Sequence, residues 1–321
     1  MRRTIITGNG LGMALDPVYF SLNRAIASVW DDPECLSRIQ KQLITECLTR
    51  QGVGEMPQGE EDLDILHRVV LACQYLLRIG RGDIHWLSDH GSEFPDAIKK
   101  FITAVAWYFH YHEHILPCNF VESISGYIQE TKSHIATLNY DNLLYQNLIE
   151  RGVLRGYDSA LVDGFHRISG FSCGNLDRKY GRDFGYYLHL HGSPLFIEAN
   201  AGILKQKQGN AREIPTPHLV LTHVEHKPSV IDSSVLLKTY WCYLDHAIRE
   251  SEKIIIIGYS GLDDHLNRFI KALCGEKEIS IIEWNGAGER EERIAFWSDK
   301  LGGKAELMRL DNILDYDDWE N

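Results

Sequence analysis

Three polar side chains in two short segments have residue types suited to chemistry on a ribose or a carboxamide. Asn139 and Asp141 lie two residues apart in segment 137–141, and His191 follows the alternating segment 186–190. An Asn side chain can hold a hydroxyl, a carboxamide or a water without carrying charge, and a His side chain can accept a proton near neutral pH. We therefore treat Asn139, Asp141 and His191 as candidate catalytic residues.

Each candidate also has an ordinary structural interpretation. Asp141 can cap the helix that the spacing of Leu143, Leu144 and Leu148 predicts. His191 can be a packed, hydrogen-bonded residue, and a regular strand would place the histidine at position 189 on the same side. The residues alone leave both interpretations open.

Two glycine turns are candidates for a nucleotide site. Residues 8–10 follow the β-branched segment 4–7 and precede a predicted helix, whose free N–H groups and dipole would favour a diphosphate. Residues 258–261 follow the apolar segment 254–257, and an Asp after them would cap the next helix. Neither turn has the G-x-G-x-x-G spacing, and the G-x-S-x-G spacing of serine hydrolases fails, so plain structural turns remain an alternative.

The sequence gives little support for a metal site. His110 and His114 would share a face of a helix, but Glu113 is misplaced for H-E-x-x-H and no third ligand is indicated. The seven cysteines are scattered and never form C-x-x-C, which argues against a zinc ribbon and a disulfide framework. We expect reduced, mostly buried thiols and no bound metal.

Composition narrows the class of protein further. A formal net charge of -12 over 321 residues argues against direct nucleic-acid binding, because that affinity depends on accumulated Lys and Arg. No apolar stretch reaches the roughly twenty residues of a membrane span, and residues 1–8 do not read as a signal peptide. We expect a cytoplasmic protein with no membrane association. Residues 311–320 are acidic, and we expect a solvated tail there.

Hydrophobic periodicity predicts an α/β fold, a Rossmann-like parallel sheet with helices on both faces. Five strand-like segments end in polar or glycine turns, which suits an open sheet whose ligands lie beyond the carboxyl ends of its strands. Residues from about 19 to 132 have helical periodicity, and 151–185 reads as loop-dominated. We predict one domain from residues 1–28 plus 132–321, with a helical insertion subdomain at 29–131.

Four of these strand ends, in this order, resemble the motifs of the sirtuin-like NAD-binding fold. The matching segments are 8–10, 137–141, 190–193, and 257–260 together with Asp264. The Asn-Tyr-Asp at 139–141 is most similar to the sirtuin-like NADases of bacterial anti-phage defence. That resemblance implies that Asn139 and His191 form the catalytic pair with Asp141 beside them. It also implies a set of NAD-binding residues, namely Gly8, Asn9, Gly10, Gly258, Ser260, Asp264 and Asn285.

Protein-deacylating sirtuins carry a four-cysteine zinc module that this chain cannot build, so the resemblance favours NAD hydrolysis to nicotinamide and ADP-ribose. NAD would be the substrate, and depletion of NAD the defence response (abortive infection). A zinc-free deacylase or ADP-ribosyltransferase and a regulatory subunit that binds NAD or ADP-ribose without turnover remain alternatives. NAD and NADP are not distinguished. Segments 227–228 and 240–241 also look like this branch, without an assigned role.

The resemblance also bears on partners. Relatives of this branch work beside a second defence protein, such as a HerA-type ATPase or an Argonaute-like protein. We further expect a homo-oligomer that gates the activity, because an unregulated NADase would harm its own cell. The aromatic and histidine-rich stretch 107–114 is the predicted interface material.

Overall fold

The structure, a computed structural model, describes residues 1–78, 93–200, 202–206, 216–221, 227–302 and 305–320, with the backbone alone at 74–78. Its strands are β1 (Arg3–Thr7), β2 (His134–Thr137), β3 (Leu161–Val162), β4 (Phe165–His166), β5 (Gly170–Phe171), β6 (Gly185–His189), β7 (Phe196–Ala199), β8 (Gly202–Lys205), β9 (Lys253–Ile257), β10 (Glu278–Trp284) and β11 (Ala305–Leu310). Its α-helices are α1 (Gly10–Leu15), α2 (Leu22–Asp31), α3 (Arg38–Arg50), α4 (Glu60–Arg78), α5 (Phe94–His110), α6 (Cys118–Thr131), α7 (Leu143–Glu150), α8 (Lys227–Ser233), α9 (Val235–Glu250), α10 (Asp264–Leu273) and α11 (Arg290–Leu301).

A parallel sheet of seven strands forms the centre of the fold, in the order β11-β10-β9-β1-β2-β6-β3. The chain places β2, β3 and β6 on one side of β1, with β6 between β2 and β3, and then places β9, β10 and β11 on the other side. The order therefore reverses between β1 and β9, and a crevice forms beyond the carboxyl ends of strands at such a point. The predicted α/β, Rossmann-like fold is confirmed.

The central strands are apolar because helices flank the sheet. All five residues of β1 are buried, and the four isoleucines of β9, 254–257, are fully buried. Continuous β-branched runs of this kind are typical of strands covered on both faces. Helix α9 packs against β1 and β6, and α10 packs against both α9 and α11.

The region predicted to be helical contains α2 to α6 among its described residues. Helix α5 packs against α2, α3 and α4, and α6 packs against α7. Helix α3 begins with a capping box in which Ser37 accepts from the Gln40 backbone and the Gln40 side chain accepts from Ser37. The division into a main domain and an insertion stays a prediction. Within the described residues, no helix combines the length and apolar composition that a membrane crossing requires.

The acidic C-terminal segment is not a solvated tail, contrary to our expectation. Leu314, Tyr316 and Trp319 are buried, and the Arg3 guanidinium donates to the Trp319 carbonyl at 2.6 Å. Apolar residues alternate with the acidic ones, so one side of the segment packs while the carboxylates face water. The loop-dominated interpretation of 151–185 was incomplete as well, because β3 in that segment forms one edge of the sheet.

Two further expectations need correction. Only Cys35 and Cys274 are buried among the seven free cysteines, so most thiols are partly or fully accessible. Helix α5 ends at His110, so the histidines at 112 and 114 lie beyond it and share no helical face with His110. Within the stretch 107–114, Trp107, Phe109 and His110 are buried in the chain itself.

Three buried histidines resist protonation. The His110 Nδ1–H donates to the Tyr140 carbonyl at 3.0 Å, and His134 Nδ1 accepts from the Tyr186 backbone at 3.0 Å. Both ring nitrogens of His189 are buried without a partner among the described residues. Burial lowers the pKa of His110 and His134 to about 4 and that of His189 to about 3.

The free energy of unfolding should therefore fall as the pH drops from about 6.5 to about 4, because these histidines take up protons first in the unfolded chain. Changing His189→Phe should recover about 2 kcal/mol of that loss between about pH 7 and about pH 5. Urea unfolding at both pH values measures the difference. His166→Phe, at an exposed position, is the matched control. Equal pH dependence in both variants would contradict the assignment.

Candidate active site

A cleft with a cavity volume of about 260 Å³ opens beyond the carboxyl ends of β1, β2, β6 and β9. This volume is close to the lower end of the roughly 300–1,000 Å³ typical of small-molecule sites. Its acidic, basic, histidine and amide side chains come from six separate segments and are Asn9, Glu60, Asn139, Asp141, His191, Lys227 and Asp263. Its apolar wall includes Leu22, Phe109, Leu138 and Leu221. The cleft therefore lies at the reversal of strand order, where an α/β sheet binds its ligands.

The two glycine turns form the floor by packing directly on each other. A Cβ on Gly8 would lie 2.7 Å from the Gly258 carbonyl oxygen, and one on Gly10 would lie 2.4 Å from the Gly258 Cα. Gly10 N–H donates to Gly258 at 2.7 Å and Leu11 N–H to Gly8 at 3.3 Å. The first N–H groups of α1 are thus occupied by protein, contrary to our expectation that they are free. Backbone packing alone accounts for these glycines.

Asn139 lines the cleft and has a side-chain oxygen without a hydrogen-bond partner among the described residues. Its Nδ2 donates to the Gly8 carbonyl at 3.0 Å, and its backbone N–H is held by Thr137 Oγ1 at 3.1 Å. The carboxamide oxygen is buried and has no hydrogen-bond partner in the part of the chain that the structure describes. A buried oxygen of this kind carries a desolvation cost unless a ligand or water donates to it. Asn139 is therefore arranged as an acceptor for a hydroxyl or water.

Asp141 supports the start of a helix and also lines the cleft, and its catalytic role stays a prediction. Its Oδ1 accepts the Leu143 N–H at 3.0 Å, which supports the start of α7, although Asn142 is the N-cap residue. It also lines the cleft. Burial raises the pKa of the Asp141 carboxyl to about 7. Near neutral pH this side chain can therefore donate as well as accept a hydrogen bond.

His191 is held at the mouth of β6 by its backbone and by a carboxylate. The following Gly192 has φ +80°, and a Cβ there would lie 1.7 Å from the His218 carbonyl oxygen, so only glycine fits. The His191 Nε2 lies 3.0 Å from Asp263 Oδ2. An ionised carboxylate only accepts, so Nε2 carries a proton, and in the neutral imidazole the lone pair lies on Nδ1. Nδ1 has no partner among the described residues, and this nitrogen is available to act as a base.

Asp263 organises this side of the cleft. Its Oδ1 accepts the N–H groups of His265 and Leu266 at 3.0 and 3.1 Å, as the N-cap of α10. Its Oδ2 accepts from His191 and from Lys227 Nζ, each at 3.0 Å. Burial alone would raise the pKa of this carboxyl, but the His191 hydrogen bond and the nearby positive charge hold the pKa far below its usual value. Asp263 is therefore a buried anion.

The sequence did not reveal Lys227 or Glu60 as cleft residues. Lys227 opens α8 with only 3 % of its surface exposed, and its ammonium lies 3.4 Å from Glu60 Oε2 on α4. The segment 227–228 had been singled out without a role, and a Pro in the first turn of a helix explains Pro228 by itself. Glu60 lies in the first turn of α4, where acidic residues are common for helix stability. Neither position carried a functional signal of its own.

The structure brings most of the predicted site residues together. Gly8, Asn9, Asn139, Asp141, His191 and Ser260 line the cleft. Gly10 and Gly258 form the packed turns beneath it. Asp264 and Asn285 lie elsewhere.

Three predicted placements differ from the structure. Asp264 is half exposed and pairs with Lys300 at 2.7 Å, while its neighbour in the sequence enters the cleft. Asn285 is exposed after β10 and donates to Asp311. The imidazole of His189 lies among Tyr145, Tyr187, Phe196 and Tyr240 outside the cleft. Strand β6 ends at His189, so the alternation that would have placed it beside position 191 does not continue.

Comparisons with known proteins add no identification: no model of a protein family matches the chain, and no curated protein is significantly similar to it. No group of three or more His, Cys, Asp or Glu side chains among the described residues is arranged to hold a metal ion.

Substitution by alanine should have opposite effects on stability at Gly10, in the packed turns, and at Gly126, in α6. Gly10→Ala should destabilise the protein by roughly 1–3 kcal/mol, because the methyl group overlaps the Gly258 backbone. Gly126→Ala, in the exposed interior of α6 with open space around it, should stabilise by roughly 0.5–1 kcal/mol. Chemical unfolding of both variants measures the two changes in the free energy of unfolding. A Gly10→Ala variant as stable as the parent would show that the two turns are not closely packed.

Proposed function

We propose that this protein hydrolyses the nicotinamide–ribose bond of NAD and releases nicotinamide and ADP-ribose. The observation that carries the proposal is that one cleft is lined by both Asn139, whose side-chain oxygen has no partner among the described residues, and His191. Both side chains are held in place, Asn139 through Nδ2 by Gly8 and His191 through Nε2 by Asp263. An acceptor and a base held in one cleft suit the activation of one water molecule.

The reaction assigns one step to each group. The ribose–nitrogen bond breaks, its electron pair neutralises the nicotinamide ring, and positive charge develops on the ribose. Water attacks the anomeric carbon while its proton passes to His191 Nδ1, and Asn139 Oδ1 orients that water or a ribose hydroxyl. General-base assistance of this kind typically contributes about 100- to 10,000-fold. Because nicotinamide leaves as a neutral molecule, no strong acid is required.

The charge of the cleft supports a cationic substrate group. Asp263 is ionised and Glu60 adds a second acidic side chain, against the single lysine at position 227 among the described lining residues. Asp141, with a pKa raised to about 7, is only partly ionised near neutral pH. Fixed negative charge stabilises both a pyridinium ring and an oxocarbenium-like transition state. The apolar wall can cover the ring and exclude water. Gly8, Asn9 and Ser260 are the proposed contacts for the rest of the dinucleotide.

The biological setting of this proposal rests on the sequence resemblance alone. By that resemblance the chain would deplete NAD in anti-phage defence, as a homo-oligomer and beside a partner such as a HerA-type ATPase or an Argonaute-like protein. A regulatory subunit that binds NAD or ADP-ribose without turnover would share the cleft but would not need His191.

Nicotinamide release from NAD by the purified protein tests the activity. We expect release from the parent protein, alone or with a phage-derived activator or partner, and a loss of at least about 100-fold in His191→Ala and in Asn139→Ala. His166→Ala, at an exposed position, should keep the parent rate. Absence of release under all these conditions would overturn the proposed reaction. Release that survives both cleft substitutions would overturn the site.

The neighbouring acids at 263 and 264 provide a second comparison. Asp263→Asn should lower kcat by about 100-fold or more, because the amide no longer fixes the proton of His191 on Nε2. Asp264→Asn should change kcat little, since that carboxylate faces Lys300 outside the cleft. Steady-state kinetics on the two variants measures the difference. Equal losses of kcat in the two variants would mean that kcat depends on the start of α10 and not on the contact between Asp263 and His191.

A further inference from the structure

Lys227 and His191 donate to the same oxygen atom. The ammonium Nζ and the imidazole Nε2 each lie 3.0 Å from Oδ2 of Asp263. The other oxygen, Oδ1, is occupied by two backbone N–H groups at the start of α10. An ionised carboxylate has about four acceptor positions, and these four donors use all of them. The imidazole and the ammonium therefore share one anionic oxygen.

Burial and charge hold the Lys227 ammonium beside Asp263. It is almost fully buried, and its second carboxylate neighbour, Glu60 on α4, lies 3.4 Å away. A buried ammonium is stable only when carboxylates compensate its charge, so Lys227 is not free to swing toward a substrate phosphate. It lines the cleft, and its two carboxylate contacts among the described residues are those with Asp263 and Glu60.

We propose that Lys227 is a positioning residue that keeps the cleft-facing nitrogen of His191 unprotonated, by sharing the carboxylate oxygen of Asp263 with the imidazole. This inference rests on the proposed function, in which His191 is the base. An ionised carboxylate by itself favours a doubly protonated imidazole beside it. The ammonium of Lys227, bound to the same oxygen, offsets that attraction and repels a second proton.

The sign of the effect follows from the charges that face the pair. Removing the ammonium leaves Asp263 and Glu60 unopposed, so His191 should take up its second proton at higher pH. Removing the Glu60 charge should move proton uptake to lower pH, by less, because that carboxylate is farther away and partly exposed. Among the described residues, the other titratable groups around the pair are unchanged in both variants: Tyr140, Asp141, Tyr259 and His265.

Nitrogen NMR of the histidine rings tests the proposal without any need for turnover. The His191 signals are assigned by their loss in His191→Gln, and proton uptake is followed by pH titration of the full chain. In Lys227→Met the titration midpoint of His191 should rise by about one pH unit. In Lys227→Arg, which restores the charge, the midpoint should stay at the parent value. A midpoint that does not move in Lys227→Met would overturn the proposal.

Glu60→Gln keeps the test decisive if Lys227→Met does not fold. Its His191 midpoint should move to lower pH, and a shift to higher pH, or no shift, would contradict the proposed charge balance. If the parent protein releases nicotinamide, the acidic limb of the pH profile of kcat/KM should move to higher pH in Lys227→Met and to lower pH in Glu60→Gln. A purely structural role of Lys227 would lower the rate at every pH without moving the limb. Failure of nicotinamide release overturns the proposed function, whereas an unmoved midpoint overturns only the role of Lys227.

Discussion

A buried carboxylate on Asp263 is the constraint on which this site depends. A charge taken out of water must be compensated by nearby donors, and the chain supplies four of them within 3.1 Å. Two are backbone groups that begin α10, one is the imidazole at the end of β6, and one is the ammonium that opens α8. Three distant parts of the chain are therefore fixed by one side chain. The position of the His191 ring, the location of its proton and the start of α10 therefore cannot be changed independently of one another.

The sheet determines where that carboxylate lies. Strands β1 and β9 are neighbours, and their following turns touch through Gly8, Gly10 and Gly258 without room for a side chain. This contact brings the loop carrying Asp263 to the loop after β2, where Asn139 binds Gly8. The helical region completes the cleft with Leu22, Glu60 and Phe109. The helices between β1 and β2 thus contribute directly to the lining of the cleft.

Local patterns in the sequence predict the parts of this fold that depend on local physics. The apolar run 254–257 and the β-branched run 4–7 identify buried parallel strands, and the polar residues after them identify the edge at which Asn139 and His191 meet. Contacts between segments that are far apart in the sequence cannot be predicted from local patterns. Two adjacent aspartates fit a helix start equally well, and only tertiary packing directs Asp263 rather than Asp264 into the cleft. Lys227 acts through a partner 36 residues away. The C-terminal segment is buried by alternating apolar residues that its acidic composition conceals.

Under the proposed function, the cleft binds NAD with its nicotinamide–ribose bond at the side chains of Asn139 and His191. A crystal structure of the His191→Ala variant with NAD tests it most directly, because the loss of the base should preserve the intact dinucleotide. We expect the reacting ribose within hydrogen-bond distance of the Asn139 carboxamide and the nicotinamide ring against the apolar wall. A dinucleotide bound elsewhere, or its adenine in place of its nicotinamide beside Asn139, would contradict the account.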